Sequence, residues 1–355
     1  MQLTIDEATG LAHAVLVHTG YSSAAADTIA AHLIDSELRG YASAGLARIL
    51  AVRERLHGRP TTKDANGSHP VIVEACKVTK DTAVLAHIDG QDAFGYLVGQ
   101  RATELAIAKA KQHGIAIVTA NNTWTTGMLS YYAEMAAAEN LVALVTASST
   151  PWVAAHGGTT GVHGTNPLCI GFPGAFAADA ASRTTTPTPI IVDIATSQLL
   201  HADVVLAQRL GTPLPVGTAF DADGRPTTDP AAVFRGGAIA PWGGYKGSGL
   251  AAAVQLFGVL AGAPAFPPVL EQFGFTVIVI DPAQFQPLDE YRRQVAQYVQ
   301  TVHASGPAEA GGQPLRLPFE RSAAQRAEAR KTGTLTVDDV VYKALQEVVG
   351  SGGTE

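Results

Sequence analysis

The sequence is poor in cysteine, which bears on two classes of protein. Its 355 residues include two cysteines, Cys76 and Cys169, which lie far apart in apolar stretches. Cysteines placed in this way favour two buried free thiols over a disulfide or a metal-binding pair. We therefore expect neither a disulfide framework nor a metal site.

Positive charge is also scarce. The 24 lysines and arginines are outnumbered by 31 aspartates and glutamates, and eight of the 24 are lysines. The basic residues form no stripe along the chain, so the sequence lacks the electrostatic footprint of a protein that binds nucleic acid or an anionic membrane. We expect neither partner.

Uninterrupted hydrophobic runs are missing as well. Residues 1–7 lack the basic start and apolar run of a signal peptide. The most apolar long stretch, 249–266, contains Gln255 and Pro264, which favours a buried helix and its exit over a membrane span. Hydrophobic residues nevertheless make up 46% of the chain, enough for a large core. These features predict a soluble, cytoplasmic globular protein of about two domains.

Helix and strand patterns alternate along the chain and predict a mixed α/β fold. Helices are expected at 23–38, 95–111, 128–139 and 288–303, and strands at 71–73, 83–88, 114–119, 141–146, 168–172, 189–194 and 275–280. No Gly-x-Gly-x-x-Gly sequence follows a strand, which speaks against a Rossmann dinucleotide-binding domain. Loose segments are expected at 57–68, 304–312 and 351–355.

The densest glycine signal is the segment 241–250, where four glycines surround Lys246 just before an apolar helix. Glycines let backbone amides approach a ligand, the start of a helix favours an anion, and lysine adds a point charge. We therefore favour ligand contact here over a glycine-rich turn with a solvated lysine.

Three shorter motifs add candidates. The segment 163–167, His-Gly-Thr-Asn-Pro, has the chemistry of a tight turn and is expected to be structural. Asp193 follows an apolar strand and is either part of a ligand site or a helix cap. Arg39 and Arg48 bracket a turn of small residues, so that one of them could pair with a substrate carboxylate or simply be solvated.

These motifs, in this order, resemble the malate/L-lactate dehydrogenase family of the non-Rossmann type over nearly the whole chain. The segments 221–230 and 315–318 extend the resemblance. It implies a non-Rossmann NAD(P)-binding α/β fold with a large, mostly antiparallel sheet and flanking helices. It also implies NADPH or NADH as cofactor, a small carboxylate substrate and a homodimer. Residues 1–120 and 285–355 would form a helical portion for substrate and dimerisation, and 121–284 the NAD(P)-binding portion.

The resemblance also assigns roles to individual residues. It implies that Arg48 holds the substrate carboxylate and that Asp193 orders the site. The residues expected to bind the cofactor are Val192, Asp193, Ile194, Ala195, Thr196, Tyr245, Lys246, Gly247, Phe319, Glu320 and Arg321. The residues expected to line the substrate pocket are Ser43, Ala44, Arg48, Trp124 and Thr125.

The chain departs from the family pattern where histidines are expected. The family's Ser-His-Gly proton donor is here Ser43-Ala44-Gly45, and a second family histidine is replaced by Thr123 or Thr125. A positioned general acid is worth roughly 10²–10⁴-fold in rate. The loss favours a substrate that brings its own proton, such as a cyclic iminium carboxylate, and hence an α-imino acid reductase or a specialised biosynthetic reductase.

Two alternatives remain open. A 2-hydroxy acid dehydrogenase of malate or lactate type could use a relocated acid, and His201 is the favoured position because it lies eight residues after Asp193. A catalytically silent nucleotide-binding dimer would need no acid at all.

Overall fold

The computed structural model describes residues 1–57, 72–174, 188–306 and 312–350. Within these ranges the helices are α1 Ile5–Thr19, α2 Ser23–Leu38, α3 Ala47–His57, α4 Gly95–His113, α5 Leu129–Ala138, α6 His201–Leu210, α7 Pro230–Phe234, α8 Tyr245–Leu260, α9 Leu288–Ala304, α10 Glu320–Thr332 and α11 Asp339–Gly350. The strands are β1 Gln2–Thr4, β2 Lys77–Asp81, β3 Leu85–Asp89, β4 Ile115–Thr123, β5 Val142–Ala147, β6 Val153–Ala154, β7 Gly161–His163, β8 Leu168–Phe172, β9 Ile190–Ile194, β10 Ala219–Phe220, β11 Ala238–Ile239, β12 Phe273–Ile280 and β13 Thr334–Thr336.

A seven-stranded sheet in the order β2-β3-β4-β12-β5-β8-β9 occupies the centre of the molecule. The β3–β4 pair is parallel and the other neighbouring pairs are antiparallel. Helix α4 packs on this sheet through alanines four residues apart, Ala102, Ala106 and Ala110, which are all fully buried. Their small side chains lie on one helix face and let the helix approach the strands closely. The predicted α/β class, with a mostly antiparallel sheet and flanking helices, is confirmed.

A helical layer at the chain ends forms a second core. Helices α1, α2, α3 and α11 supply most of its buried side chains. A capping box opens α1, in which the Thr4 hydroxyl accepts from the Glu7 N–H and the Glu7 carboxylate accepts from the Thr4 N–H. Strand β1 pairs antiparallel with β13, a contact between the two ends of the chain that the sequence patterns did not indicate.

Two predicted elements need correction. Residues 72 and 73 of the strand expected at 71–73 have no strand structure, and residue 71 lies outside the described ranges. Ile72 and Val73 pack as irregular chain against the two cores, and the strand in this region is the exposed, polar edge strand Lys77–Asp81. The helix expected to be buried at 249–266 spans Tyr245–Leu260 instead, and Leu260 on it is 70% exposed. None of the helices in the described ranges is long and apolar enough to cross a membrane.

Four charged side chains tie the helical layer to the central sheet, and we call them the ion cluster: Asp35, Arg39, Glu134 and Arg326. Arg39 Nε donates to Asp35 at 2.6 Å, and its Nη2 donates to Glu134 at 2.5 Å. Arg326 also donates to both carboxylates, at 2.9 Å and 2.5 Å. The cluster therefore joins α2, α5 and α10.

The ion cluster is largely shielded from water. The Arg39 side chain is 0% exposed and that of Asp35 is 7% exposed. Burial alone would raise the pKa of Asp35, but the guanidinium groups of Arg39 and Arg326 outweigh it and hold this pKa below its usual value.

The boundary predicted between residues 120 and 121 falls inside strand β4. The division of the chain into a helical portion and an NAD(P)-binding portion stays a prediction.

Removing one charge of the ion cluster should be costly. We expect Arg39→Met, which keeps the length of the side chain, to lower the free energy of unfolding by about 3–5 kcal/mol, because it leaves a buried carboxylate with less compensation. Urea unfolding followed by circular dichroism measures this. The control is Arg225→Met, which breaks the exposed pair with Asp223 and should cost less than about 1 kcal/mol. Equal losses in the two variants would contradict the structural role of the cluster.

Candidate active site

A cavity of about 590 Å³ lies between the helical layer and the end of strand β9. Its walls come from the turn before α3, the segment before α5, the residues after β9 and the first turns of α6. The residues that line it include Tyr41, Ser43, Ala44, Arg48, Tyr96, Thr125, Thr126, Gly127, Met128, Trp152, Asp193, Ala195, His201, Asp203 and Phe273. Mostly apolar walls with a few converging polar groups are typical of a site for a small ligand.

Arg48 is the cation of this cavity. Its Nε is buried and has no hydrogen-bond partner, and within the described ranges no carboxylate forms an ion pair with its guanidinium. Burial lowers the pKa of Arg48, while Tyr96 and Asp203 act in the opposite direction. An arginine remains charged under these conditions, and a desolvated charge without a partner is costly. Arg48 is therefore placed to bind an anionic ligand.

Asp193 and Ala195 face the cavity, whereas Val192, Ile194 and Thr196 do not line it. This alternation follows from the period of two along a strand. The Asp193 carboxylate accepts the Ser130 N–H at 2.7 Å, at the first turn of α5. The side chain is open to the cavity, yet protein surrounds it on many sides, and the resulting desolvation raises the pKa of Asp193 despite this hydrogen bond.

Thr196 has a structural role beside the cavity. It is fully buried, and its hydroxyl donates to the carbonyl oxygens of Thr165 and Asn166 at 3.1 Å. Asn166, with a φ of 38°, donates from its side-chain amide to Gln255 at 2.7 Å and to the Ala251 carbonyl. Asn166 therefore fastens the segment 163–167 to α8. Thr165 and Pro167 line the cavity, so the expectation that the whole segment is structural stays a prediction.

His201 lines the cavity at the first residue of α6. It lies between aromatic rings, with ring centroids 5.0 Å from Trp152 and 5.6 Å from Phe234. Burial, helped by the charge of Arg48, lowers the pKa of His201 to about 3. The positive end of the helix dipole acts in the same direction. His201 is therefore uncharged at neutral pH and holds no imidazolium proton to donate there.

The turn before α3 places Ser43 and Ala44 in the cavity wall. The Ser43 hydroxyl donates to Asp203 at 2.6 Å. Behind this turn, the buried Glu37 carboxylate accepts the Leu46 N–H, and burial raises the pKa of Glu37 to about 7. Gly45 approaches Glu37 so closely that a Cβ would lie 2.4 Å from its carboxyl carbon, which explains a glycine at this position.

Of the two pocket residues predicted in the segment before α5, Thr125 lines the cavity and Trp124 does not. Thr125 lines the cavity with a φ of 32°, an uncommon conformation for a β-branched residue. Trp124 does not line the cavity. It is buried in the helical core, where its Nε1 donates to the Asp92 carbonyl and the Arg55 guanidinium lies 3.8 Å from the centre of its ring. Trp124 is large and apolar enough to join the core, and it is not a pocket residue.

The glycine-rich segment borders the cavity region without lining it. Tyr245 and Lys246 are exposed at the start of α8, and Gly247 is buried. The Trp242 N–H donates to the Thr196 carbonyl at 2.9 Å, which holds this segment against the residues that follow β9. Cofactor contact by Tyr245, Lys246 and Gly247 stays a prediction.

Residues 319–321 also lie outside the cavity wall. The ring of Phe319 lies 4.4 Å from the Arg39 guanidinium, at the ion cluster. The Glu320 carboxylate accepts the Leu317 N–H at 2.9 Å and lies beside His303. The guanidinium of Arg321 lies 5.7 Å from the ring of Tyr41, which does line the cavity. Arg321 thus lies beside a residue of the cavity wall.

The sequence patterns missed Tyr96. It is the second residue of α4, its side chain is 1% exposed, and it lines the cavity. Its hydroxyl has no hydrogen-bond partner among the described residues. A tyrosine at the start of a predicted helix does not by itself indicate a functional site. Tyr96 becomes part of one because the fold places it beside Arg48 and Gly127, which are distant in the chain.

Comparison with known proteins identifies the relationship. A sequence model of the malate/L-lactate dehydrogenase family matches residues 3–346, so the chain belongs to this family. It is accordingly an NAD(P)-dependent oxidoreductase, as the resemblance implied.

Relatives with different activities match the chain over nearly its full length. An L-lactate dehydrogenase of Cupriavidus necator is 31% identical, covering 99% of this chain and 98% of the relative. A Delta(1)-pyrroline-2-carboxylate/Delta(1)-piperideine-2-carboxylate reductase of Pseudomonas putida is 30% identical, covering 99% and 97%. The solved structure of a dehydrogenase from Sinorhizobium meliloti superimposes with a TM-score of 0.82 at 31% identity, covering 98% of each chain.

The neutral state of His201 should appear in the pH dependence of stability. Its pKa is about 3 in the folded protein and about 6.5 when unfolded, so its contribution is complete above pH 6.5 and is lost as the pH falls towards 3. We expect His201→Phe to reduce the fall in unfolding free energy between pH 7 and pH 5 by about 2 kcal/mol. Urea unfolding at both pH values measures it.

The control for this prediction is Phe234→Leu, which changes the packing against His201 without removing a titratable group. It should lower stability equally at pH 7 and pH 5. An unchanged pH dependence in His201→Phe would show that the imidazole is not held neutral by the fold.

Proposed function

We propose that this chain is an NAD(P)H-dependent reductase of a small α-imino carboxylate, with cyclic imine acids as the favoured substrates. The observation that carries the proposal is Arg48, which lines a cavity of suitable size; its buried Nε has no hydrogen-bond partner, and its guanidinium forms no ion pair with a carboxylate of the described ranges. A substrate carboxylate would supply the missing charge and could bind in bidentate fashion. A specialised biosynthetic reductase acting on another α-imino acid fits the same geometry.

The residues of the cavity fit a nicotinamide group, because Asp193 and Ala195 offer a polar and a small contact at the end of β9. When bound, reduced nicotinamide supplies a hydride. The chain's own contribution is to hold the substrate carboxylate at Arg48 and to exclude water with apolar walls. Either NADH or NADPH serves the proposal, and Arg321 near the cavity wall is the candidate contact for a 2′-phosphate.

Two observations favour an imine substrate: Ala44 stands at the position of the family's histidine, and His201 is neutral. Addition of hydride to an iminium carbon gives a neutral amine with no proton donated in the same step, so the reaction tolerates Ala44 in the cavity wall. Reduction of a ketone produces an alkoxide and needs an acid. His201, the acid of the alternative reading, is uncharged at neutral pH because its pKa is lowered to about 3.

Reduction of 2-keto acids is the second candidate, supported by the 31% identity to an L-lactate dehydrogenase. A silent nucleotide-binding protein is disfavoured, because it would keep the unpaired charge of Arg48 at a cost to stability without using it.

The test is oxidation of NADH and NADPH followed by absorbance, with a panel of substrates. The panel contains pyruvate, oxaloacetate, and five- and six-membered cyclic imine 2-carboxylates. We expect turnover of the cyclic imines and little turnover of the keto acids. Turnover of keto acids alone would favour the second candidate. No turnover with any substrate would favour a catalytically silent nucleotide-binding protein.

The same panel tests the role of Arg48. We expect Arg48→Met to raise KM for the preferred carboxylate by roughly 30–1000-fold, since truncating one partner of a buried charge pair costs about 2–4 kcal/mol. The control Arg292→Met removes an arginine that contacts Asn140, outside the cavity, and should leave KM unchanged. An unchanged KM in Arg48→Met would exclude carboxylate binding there.

We also propose that the chain acts as a homodimer in the cytoplasm. Leu256, Leu260 and Phe266 are each at least 65% exposed on and after α8, and a second copy would remove this apolar surface from water. Sedimentation velocity should give the mass of a dimer, and Leu260→Asp should shift the protein towards monomer. A monomeric wild-type protein at micromolar concentration would contradict the proposal.

A further inference from the structure

The Tyr96 hydroxyl is a buried polar group without a partner. The side chain is 1% exposed and the oxygen has no hydrogen-bond partner within the described ranges. Buried hydroxyls in folded proteins are nearly always hydrogen-bonded, so an unpaired one at a cavity wall calls for a ligand or a catalytic role. Tyr132, a neighbouring buried tyrosine, shows the usual case, since its hydroxyl donates to the Thr126 carbonyl at 2.7 Å.

The position of the Tyr96 hydroxyl at the cavity wall is fixed by Gly127. This residue lines the cavity with a φ of 73°, and a Cβ there would lie 2.9 Å from the Tyr96 oxygen and 2.7 Å from Cζ. The lack of a side chain at Gly127 therefore leaves room for the tip of the ring beside a residue of the cavity wall. Behind it the ring stacks on Phe94 at 4.4 Å between centroids, which holds its direction.

Among the charged and titratable groups around Tyr96, Arg48 is the one that assists release of its proton. Arg48 on α3 lowers the pKa of Tyr96, although burial is stronger and leaves this pKa at about 12. His32 on α2 lies 4.4 Å from the ring of Tyr96, and burial lowers the pKa of His32 to about 3, so it is neutral. Tyr132 on α5 is uncharged, because burial raises its pKa. Arg48 is thus the charge that would stabilise a tyrosinate.

Four other polar residues of the cavity wall are engaged or unsuited. Ser43 donates to Asp203, and Ser148 accepts the Gly274 N–H. Asp193 accepts the Ser130 N–H, and His201 is neutral because its pKa is lowered. Among the buried hydroxyls recorded without a partner in the described ranges, Tyr96 is the one that lines the cavity beside the cation expected to hold the substrate.

We propose that Tyr96 is the proton donor of the reaction, acting on the nitrogen or oxygen bonded to the carbon that accepts the hydride. This inference rests on the proposed function. The carbon gains the hydride, the π bond breaks, and the heteroatom takes the proton from the Tyr96 O–H. The resulting tyrosinate is stabilised by Arg48 and regains a proton from water. The chain could then reduce a free imine, which arrives unprotonated, as well as an iminium ion.

The experiment compares the pH dependence of kcat for wild type and Tyr96→Phe with 1-piperideine-2-carboxylate. Below the pKa of its nitrogen this substrate carries its own proton, so kcat of the two proteins should agree within about threefold. Above that pKa the wild type should keep its rate, whereas Tyr96→Phe should lose about tenfold per pH unit as the iminium fraction falls. With pyruvate, if the wild type reduces it, the loss should reach roughly 10²–10⁴-fold.

The matched control is Tyr21→Phe, which removes the hydroxyl of a buried tyrosine of the helical core that does not line the cavity. Its pH profile should follow that of the wild type. Binding of oxamate in the presence of NADH, measured by calorimetry, separates chemistry from affinity. We expect Tyr96→Phe to bind oxamate within about fivefold of the wild type, which would place its loss in kcat.

The outcomes separate the two proposals. Parallel pH profiles in an active wild type and an active Tyr96→Phe would overturn the donor role and leave the proposed function standing. A loss of oxamate affinity as large as the loss of kcat/KM would also overturn it, in favour of a positioning role. A wild type that turns over no substrate would overturn the proposed function, and this inference with it.

Discussion

The ion cluster of Asp35, Arg39, Glu134 and Arg326 is the interaction on which the geometry of the site depends. It lies largely shielded from water at the junction of α2, α5 and α10, where each guanidinium meets carboxylates. Glu134 lies one helical turn after Ser130, the residue whose N–H meets Asp193. The pairs that anchor α5 to the helical layer therefore also set the position of the aspartate in the cavity wall.

The electrostatics of the cavity follow from its mostly apolar lining. Desolvation keeps His201 neutral, so Arg48 is the cation of a cavity whose lining also contains the carboxyl groups of Asp193 and Asp203. Charge interactions are stronger in such a medium than in water, which favours a small anion over a neutral ligand. The same desolvation disfavours a free tyrosinate, so the proximity of Arg48 to Tyr96 matters for any proton that leaves this ring.

Much of this architecture could be predicted from the sequence, and the limits have physical causes. The cavity wall contains four residues that were expected at the site: Ser43, Ala44, Arg48 and Asp193. Each belongs to a short local motif that can be recognised in the sequence alone. Trp124 was misassigned, since nothing local distinguishes a core tryptophan from one that lines a pocket. The α/β class was predicted because apolar periodicity is a local property.

Other features depended on contacts between distant parts of the chain. The edge strand Lys77–Asp81 has the polar composition of a loop and becomes a strand by pairing with β3. The ion cluster brings together residues almost 300 positions apart, such as Asp35 and Arg326, and neither carries a signal of the other. Tyr96 could not be predicted for the same reason. Whether its hydroxyl has a hydrogen-bond partner among the described residues depends on the fold around it and not on its neighbours in sequence.

The pairing of β1 with β13 has a consequence for how the protein is made. The side chains of Gln2 and Thr334 are hydrogen-bonded although they lie 332 residues apart. Closing so long a loop carries a large entropic cost, and during synthesis β13 emerges long after β1. Strand β1 must therefore wait, unpaired, until β13 has been made. The helical layer, which draws on α1 and α11, can only then acquire its full set of contacts.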